Sequence, residues 1–278
     1  MITDEETNTL FLADTLSKYY PVFNKSFENV LKECSINCIV LPETKDVWAV
    51  DYMPIQVDLQ KFVRFDYHPK YLKTKQELNS ISDAERICEG IGIKTIQSDL
   101  VVDGGNVIRA RDRVIMSERI FDENPGYSRS KLIKALRELL EVDDLFLVPV
   151  QPGDFTGHAD GMVRFLNSDT VIINDYQKES TSFRRAFETA IKDSGLNYVT
   201  IPYNPYSNKN DDQANGCYIN YLQMEGLLII PVFGMKEDEE VVKIFEELFS
   251  GQIIKTVESN EIANDGGILN CITWNIRT

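Results

Sequence analysis

Hydrophobic and polar residues follow a plan that occurs four times along the chain: two short apolar strands, an amphipathic helix and a further strand. Apolar runs rich in β-branched residues predict the strands, and apolar positions spaced three and four residues apart predict the helices. The predicted helices are 73–90, 128–140, 181–194 and 237–249. The predicted strands are 47–57, 61–67, 94–98, 101–110, 113–118, 145–150, 161–166, 170–175, 198–202, 217–223, 227–232 and 252–257.

A final apolar strand, 268–276, has no downstream partner. The N-terminal segment supplies the missing parts of a unit: strand 10–13, a helix over 22–33 and strand 38–41. We therefore predict a fifth unit that is divided between the two ends of the chain. Five like units whose last strand pairs with the first close into a ring without an exposed sheet edge. A doubly wound sheet is the alternative, but it predicts single strands between helices and not hairpins.

Each predicted unit carries a polar side chain at or just before its first strand. These residues are Asp51, Asp103, His158 with Asp160, Asn220 and Cys271. In a ring of like units, equivalent positions converge on the central axis, so these side chains are expected to meet in one pocket. Each has an ordinary structural explanation when taken alone, such as a buried thiol or a turn residue. Together they supply a nucleophile, a base and carboxylates for a cation.

Composition narrows the classes of function. The chain has 278 residues, of which 43% are hydrophobic, and a net charge of −15, which disfavours nucleic acid and anionic membranes as partners. No apolar run approaches the ~20 residues that span a bilayer. The acidic N-terminus lacks the order of a signal peptide, and five irregularly spaced cysteines favour reduced thiols in the cytoplasm. The sequence has only two histidines and no nucleotide-binding motif, so we predict that the protein uses neither a metal nor a cofactor.

The motifs that carry a family resemblance are Trp48–Pro54, Asp103–Asn106, Gly157–Phe165, Tyr218–Tyr221 and Gly266–Thr273. In this order, over nearly the whole chain, they resemble the agmatine deiminase and bacterial-type peptidylarginine deiminase family of guanidine-modifying enzymes. The resemblance implies an α/β fold, a five-bladed ββαβ pseudo-symmetric propeller of the pentein type whose last blade is closed by the N- and C-termini. It also implies one catalytic domain, 1–278, and hydrolytic deimination of a guanidino compound to a ureido product and ammonia.

The resemblance further implies roles for single residues. Cys271 is the expected nucleophile, His158 the general acid and base, and Asp51 and Asp160 the catalytic pair that holds the guanidinium. Further substrate-binding residues are expected at Asp103, Asn220 and Trp48. The chain departs from the family pattern at three positions, where the family has arginine, glutamate and histidine and this sequence has Val50, Asp103 and Asn270.

Several alternatives stay open at this point. The expected partner is a small cationic guanidino substrate, which could be agmatine, arginine or peptidyl arginine, and assembly into a homo-oligomer is left open. The nearest rival activity is amidino transfer to an amine, and the second is guanidino binding without catalysis. A cysteine hydrolase acting on amides is disfavoured, because a neutral amide does not need two buried carboxylates. The loops 151–154 and 204–216 are candidates for the entrance of the pocket.

Overall fold

The structure is a computed structural model, and it describes residues 1–210 and 212–278. It contains five sheets of three strands each. In every sheet the first two strands are antiparallel, and the third is parallel to the second. A helical connection joins the two parallel strands, as a parallel crossover requires. The fold is therefore the predicted α/β five-bladed ββαβ propeller, and the doubly wound alternative is wrong.

The elements follow one another blade by blade. The chain begins with β1 (Thr9–Ala13), α1 (Leu16–Tyr19), α2 (Pro21–Glu33) and β2 (Cys38–Leu41). The next blade contains α3 (Ala49–Tyr52), β3 (Ile55–Asp58), β4 (Lys61–Asp66), α4 (Lys75–Asn79), α5 (Ala84–Gly90) and β5 (Thr95–Val101). It is followed by β6 (Ile108–Arg109), β7 (Arg113–Ser117), α6 (Arg119–Glu123), α7 (Arg129–Leu140) and β8 (Asp144–Val148).

The remaining blades keep the same order. One contains β9 (Val163–Phe165), β10 (Thr170–Asn174), α8 (Thr181–Asp193) and β11 (Asn197–Ile201). The next contains β12 (Leu222–Met224), β13 (Leu227–Val232), α9 (Asp238–Leu248) and β14 (Ile253–Glu258). The described chain ends with α10 (Asn260–Ala263), α11 (Leu269–Ile272) and β15 (Thr273–Ile276). Single 3₁₀ turns lie at Asp4–Glu6, Gly104–Asn106 and Ala159–Gly161.

The ring closes through the two ends of the chain, as predicted. Strand β15 runs antiparallel to β1, with Leu12 opposite Thr273, and β1 runs parallel to β2. Trp274 of β15 also donates its indole N–H to the carbonyl of Pro54 in the following blade at 2.8 Å. The last blade is thus built from both termini and is tied to the blade beside it.

Helices between the sheets fill the spaces between neighbouring blades. Helix α2 packs on β14 of the preceding blade, and α8 packs on β8 as well as on β11 of its own blade. The buried face of each helix repeats at helical spacing: Phe23, Phe27 and Leu31 in α2, and Phe183, Phe187 and Ile191 in α8. Burial of each such side chain stabilises the fold by about 1.5–3 kcal/mol.

The first strands of the blades are shorter than predicted, because the segments before them fold as single turns. Predicted strand 47–57 is α3 followed by β3, and predicted strand 268–276 begins as α11. Strand 101–110 contains the 3₁₀ turn Gly104–Asn106, while 161–166 and 217–223 begin only at Val163 and Leu222. Most residues of these segments are buried, so their apolar runs lack the periodicity that separates a turn from a strand.

The predicted helix 73–90 is also wrong, because it is divided into α4 and α5. Each half has its own cap: the Thr74 side chain accepts from the N–H of Glu77, and the Asp83 side chain accepts from the N–H of Arg86. Two capping residues begin two helices. Across residues 1–210 and 212–278, no helix is long and apolar enough to cross a bilayer.

Candidate active site

Segments from four of the five blades line a common cavity of about 640 Å³ near the ring axis. Asp51 lies on α3, Asp103 and His158 precede two of the 3₁₀ turns, Asp160 lies within the second of them, and Cys271 lies on α11. Asn220 precedes β12. All six side chains belong to residues that are 2–9% exposed. Five of the six predicted side chains therefore meet at this cavity, whereas Asp103 does not line it.

His158 lies between two carboxylates. Its Nε2 atom is 2.7 Å from Oδ2 of Asp103, and its Nδ1 atom is 3.5 Å from Oδ1 of Asp51. The hydroxyl of Tyr71 donates to the same Asp103 oxygen at 3.1 Å. Burial acts to lower the pKa of His158, but the charges of Asp51, Asp103 and Asp160 outweigh it and raise that pKa. The imidazole is therefore held in its protonated form at neutral pH.

Asp51 is fixed by the backbone of the next blade. The N–H of Gly105 donates to its Oδ1 at 3.0 Å. A methyl group added at Gly105 would lie 2.7 Å from that oxygen and 2.9 Å from Nδ1 of His158, so only glycine leaves room for this contact. Burial raises the pKa of Asp51, and the charge of His158 opposes that rise. Asp51 is thus paired with a histidine in the buried site.

Cys271 is held against Asp160 by Asn220. The side-chain N–H groups of Asn220 donate to Oδ2 of Asp160 at 2.9 Å and to Sγ of Cys271 at 3.3 Å, and its Oδ1 accepts from the N–H of Cys271. The thiol lies 3.5 Å from the same Asp160 oxygen. Burial, followed by the charges of Asp160 and Asp51, raises the pKa of Cys271 well above its ordinary value. A cation bound between these carboxylates would offset their charge and favour the thiolate.

We call the six residues described above, which were predicted to converge near the ring axis, the axial residues. Five of them line the cavity, and so does Trp48. Asp103 lies outside this wall, behind His158, where it contacts the imidazole and Tyr71. Gly267 allows the indole of Trp48 to approach, since a methyl group there would lie 2.2 Å from the ring. The neighbouring Gly266 has a φ of 95°, a conformation that favours glycine, as expected for the tight turn before α11.

Both loops that the sequence marked as entrance candidates border this cavity. Residues 151–154 line it, as do Tyr206 and Asn208 of the loop 204–216. Residue 211 of that loop lies outside the described residues. A second buried thiol, Cys217, also lines the cavity, and its Sγ lies 3.6 Å from the carbonyl of Gly161. Burial, together with Asp160 and Asp154, raises the pKa of Cys217 to about 12.

The family profile described as Porphyromonas-type peptidyl-arginine deiminase matches residues 2–276 of the chain. The chain belongs to this family. Among curated relatives, the agmatine deiminase of Stutzerimonas stutzeri is 25% identical over 207 residues, an alignment that covers 62% of this chain and 56% of the relative. The chain spans less than two thirds of the length of the curated relatives that it matches.

Solved structures share the propeller. A substrate-bound serine variant of the C. jejuni agmatine deiminase aligns with a TM-score of 0.81 at 17% identity, covering all of this chain and 96% of the other. The Enterococcus faecalis agmatine deiminase aligns with a TM-score of 0.77 at 18% identity, covering 99% and 94%. At these identities the likeness establishes the fold of this family member.

Residues at the rear of the site complete it, and the sequence did not assign them a role. Asn270, which departs from the family pattern, donates its Nδ2 to Oδ2 of Asp160 at 2.8 Å. The Oδ1 atom of Asn270 accepts from Arg164 at 3.1 Å. Val50, a second departure, lines with Asn270 and Arg164 a cavity of about 20 Å³ behind the site. One signal was available, because Arg164 lies four residues after Asp160 in the Gly157–Phe165 motif.

Proposed function

We propose that this protein hydrolyses a guanidino compound to a ureido product and ammonia through a covalent intermediate on Cys271. The observation that carries the proposal is the placement of one buried thiol 3.5 Å from a carboxylate, in a cavity that also presents Asp51 and His158. A planar guanidinium has N–H edges that two carboxylates can bind while the nucleophile faces its central carbon. The whole chain, 1–278, is proposed to form one catalytic domain, since every blade contributes an axial residue.

The first half of the reaction forms the intermediate. Asp51 and Asp160 bind the cation and so offset the charges that hold the Cys271 thiol protonated. The proton of the Cys271 thiol is released to solvent as the cation binds, the thiolate adds to the guanidinium carbon, and a C–S bond forms. His158, charged in the ligand-free site, protonates one nitrogen through Nδ1, the C–N bond breaks, and ammonia leaves. A cationic amidino-thioether remains on Cys271.

The second half consumes water. Neutral His158 accepts a proton from a water molecule as its oxygen adds to the same carbon. The C–S bond then breaks, the proton left on the added oxygen passes to the departing sulfur and restores the thiol, and the carbon keeps the oxygen as a ureido carbonyl. Asp103 takes part from behind the imidazole, where its contact to Nε2 orients the ring and stabilises the imidazolium. Asp103 is therefore proposed as an orienting group and not as a substrate contact.

The cavity wall favours a substrate whose tail carries no negative charge. Among the residues that the structure describes, seven carboxylates line the cavity and no lysine or arginine does: Asp46, Asp51, Asp154, Asp160, Glu179, Asp212 and Asp265. A free α-carboxylate, as in arginine, would meet like charges without a counter-ion. An amine tail, as in agmatine, would meet opposite charges. We therefore propose an agmatine-like substrate, with peptidyl arginine second and free arginine last.

The cytoplasmic location stays a prediction. It is supported by the five cysteines, each of which is a free thiol.

The test is product formation from three substrates that share one guanidino group: agmatine, arginine and an arginine-containing peptide. Ammonia and the ureido product are measured for the wild type, Cys271→Ala and Cys217→Ala. Cys217 is the matched control, because it is a second buried thiol of the same cavity, and its Sγ faces the carbonyl of Gly161. We expect activity in the order given, no turnover in Cys271→Ala and most of it retained in Cys217→Ala.

The same experiment separates the rival functions. Full turnover in Cys271→Ala would end the proposal. Thermal stabilisation by a guanidino compound without any product would indicate a binding protein. Turnover that rises with a second amine, while ammonia does not accumulate in proportion, would indicate an amidinotransferase.

A further inference from the structure

We call the two carboxylates that are proposed to bind the substrate, Asp51 and Asp160, the guanidinium clamp. A line of polar contacts runs from the N-terminal 3₁₀ turn to this clamp. It begins at Asp4, passes through Arg164 and Asn270, and ends at Asp160. Arg164 is 2% exposed, and its guanidinium lies 4.6 Å from the centroid of the Tyr221 ring. Asp160 and Arg164 lie four residues apart, whereas Asp4 and Asn270 are distant from them in sequence, so the ring fold is needed to bring the four together.

Arg164 decides which way the side-chain amide of Asn270 points. The guanidinium has donors only, so its Nη1 atom, which also donates to the carbonyl of Tyr221 at 3.0 Å, requires an acceptor at Asn270. The Oδ1 atom of Asn270 therefore faces Arg164, and the Nδ2 atom faces Oδ2 of Asp160 at 2.8 Å. A rotated amide would set an oxygen against the carboxylate and lose both hydrogen bonds.

Asp4 keeps Arg164 in this position. A buried guanidinium needs a carboxylate partner, and Oδ2 of Asp4 lies 2.7 Å from Nη2 of Arg164. The other oxygen of Asp4 contacts Arg109. Burial acts to raise the pKa of Asp4, but Arg109 and Arg164 outweigh it and lower that pKa, so the carboxylate stays charged.

We propose that Asp4 and Arg164 are positioning residues for the guanidinium clamp, and that they act through Asn270 on Asp160. Oδ2 of Asp160 accepts from Asn220 and Asn270 and lies beside Cys271. Within the described part of the chain, Oδ1 of Asp160 makes no hydrogen bond, and it is the oxygen left for the N–H edge of a ligand. This inference rests on the proposed function only for the identity of that ligand.

The two arginines that share Asp4 give a matched pair of variants. Arg164→Gln and Arg109→Gln each remove one ion pair to the same carboxylate, but only Arg164 contacts Asn270. Arg164→Lys is the second variant, because it keeps a positive charge beside Asp4 while a single ammonium cannot reproduce the fork that also reaches Asn270. Melting temperatures of all three variants identify any that fail to fold.

The first readout is agmatine binding in the Cys271→Ala background, measured by calorimetry. The loss of a charge-assisted hydrogen bond to Asp160 is expected to raise the dissociation constant about tenfold in Arg164→Gln and Arg164→Lys. Arg109→Gln is expected to raise it less than about threefold, since its loss leaves Asn270 in place. Asp4→Asn is expected to raise the dissociation constant by about as much as the Arg164 variants do. Equal binding by Arg164→Lys and Arg109→Gln would overturn the proposal.

The second readout needs no guanidino ligand. The rate of Cys271 alkylation by iodoacetamide, followed by mass spectrometry of its peptide, reports the surroundings of the thiol. A displaced Asp160 is expected to change this rate by more than about threefold in the Arg164 variants and not in Arg109→Gln. If the wild type neither binds agmatine nor releases ammonia but the rates differ in this way, the proposed function falls and the positioning role stands. Equal rates in both arginine variants would remove the positioning role.

Discussion

The Nε2 atom of His158 lies 2.7 Å from Oδ2 of Asp103, while Nδ1 on the other edge of the ring faces Asp51 at 3.5 Å. One nitrogen is therefore occupied by an orienting carboxylate, and the other is the nitrogen available to a reacting group. The family pattern has a glutamate where this chain has Asp103. The shorter side chain still makes the contact, because the turn Gly104–Asn106 brings its backbone close to His158.

Asp103→Asn is expected to lower kcat by about 10²-fold or more, because general acid–base catalysis contributes on that scale and an amide does not stabilise the imidazolium. Steady-state ammonia release checks this. Tyr71→Phe is the control: it removes a hydrogen bond to the same Asp103 oxygen and leaves the contact to His158, so its loss should stay below about tenfold. Near-normal kcat in Asp103→Asn would contradict the assigned role.

Gly105→Ala is expected to abolish ammonia release in a protein that still folds. Its methyl group would meet Asp51 at 2.7 Å and His158 at 2.9 Å, so both must move. Gly161→Ala is the comparison, because this glycine ends the equivalent turn of the next blade and a methyl group there meets nothing within 4 Å. The rate of ammonia release by Gly161→Ala should fall at most a few-fold. Comparable losses in the two variants would show that the turns tolerate no side chain for another reason.

Asp46→Asn is expected to stabilise the protein at alkaline pH. Burial raises the pKa of Asp46 to about 7, although the N–H of Trp48 donates to its Oδ1 at 3.1 Å. The folded state therefore binds this proton more tightly than the unfolded chain, and the wild type loses stability as pH rises from about 4 to about 7. Asparagine does not ionise and escapes that loss.

Urea unfolding at pH 4.5 and pH 8 measures the effect of Asp46→Asn. The variant should gain on the order of 1–2 kcal/mol over the wild type at pH 8 and much less at pH 4.5. Asp99 is an exposed aspartate, so Asp99→Asn should leave the difference in unfolding free energy between pH 4.5 and pH 8 the same as in the wild type. A variant that is no more stable than the wild type at pH 8 would contradict the prediction.

Trp274→Phe is expected to cost about 1–2 kcal/mol of unfolding free energy, because it leaves the Pro54 carbonyl without its 2.8 Å hydrogen bond. Trp274→Ala should cost about 3–5 kcal/mol, since the ring is 4% exposed and packs 4.9 Å from the centroid of Phe11. Denaturant midpoints provide the measurement. A Trp274→Ala protein as stable as the phenylalanine variant would show that this junction does not support the closed ring.

The five-bladed ring and the six axial residues could be predicted from sequence. The short helical turns that carry these residues could not. Hairpin-and-helix spacing predicts the five blades, and Cys271 and Asp51 occupy corresponding places in them. Segment 47–54 is apolar at every position except Asp51, so its periodicity does not distinguish α3 from a strand. Local pattern is informative where one whole face of an element meets bulk water, whereas these turns are buried apart from the few side chains that line the cavity.

The contacts among Asp4, Arg164 and Asn270 could not be predicted for a different reason. Asp4 and Arg164 look like ordinary charged residues, one in an acidic leading segment and one in a strand that ends in a loop. Their pairing depends on two blades meeting, and no local periodicity records such a contact. Asn270 occupies a position where the family has histidine, and it donates to Asp160 and accepts from Arg164.

Closure by the pairing of β15 with β1 gives the protein a high contact order, with consequences for its synthesis. Cys271, the proposed nucleophile, is translated after the strands of four sheets, and the strand that follows it pairs with β1, which is translated before them. A nascent chain can complete four sheets before it holds a competent thiol. Formation of the proposed site therefore depends on the pairing of β15 with β1, and a fragment that lacks either strand is expected to be inert even where its remaining blades are intact.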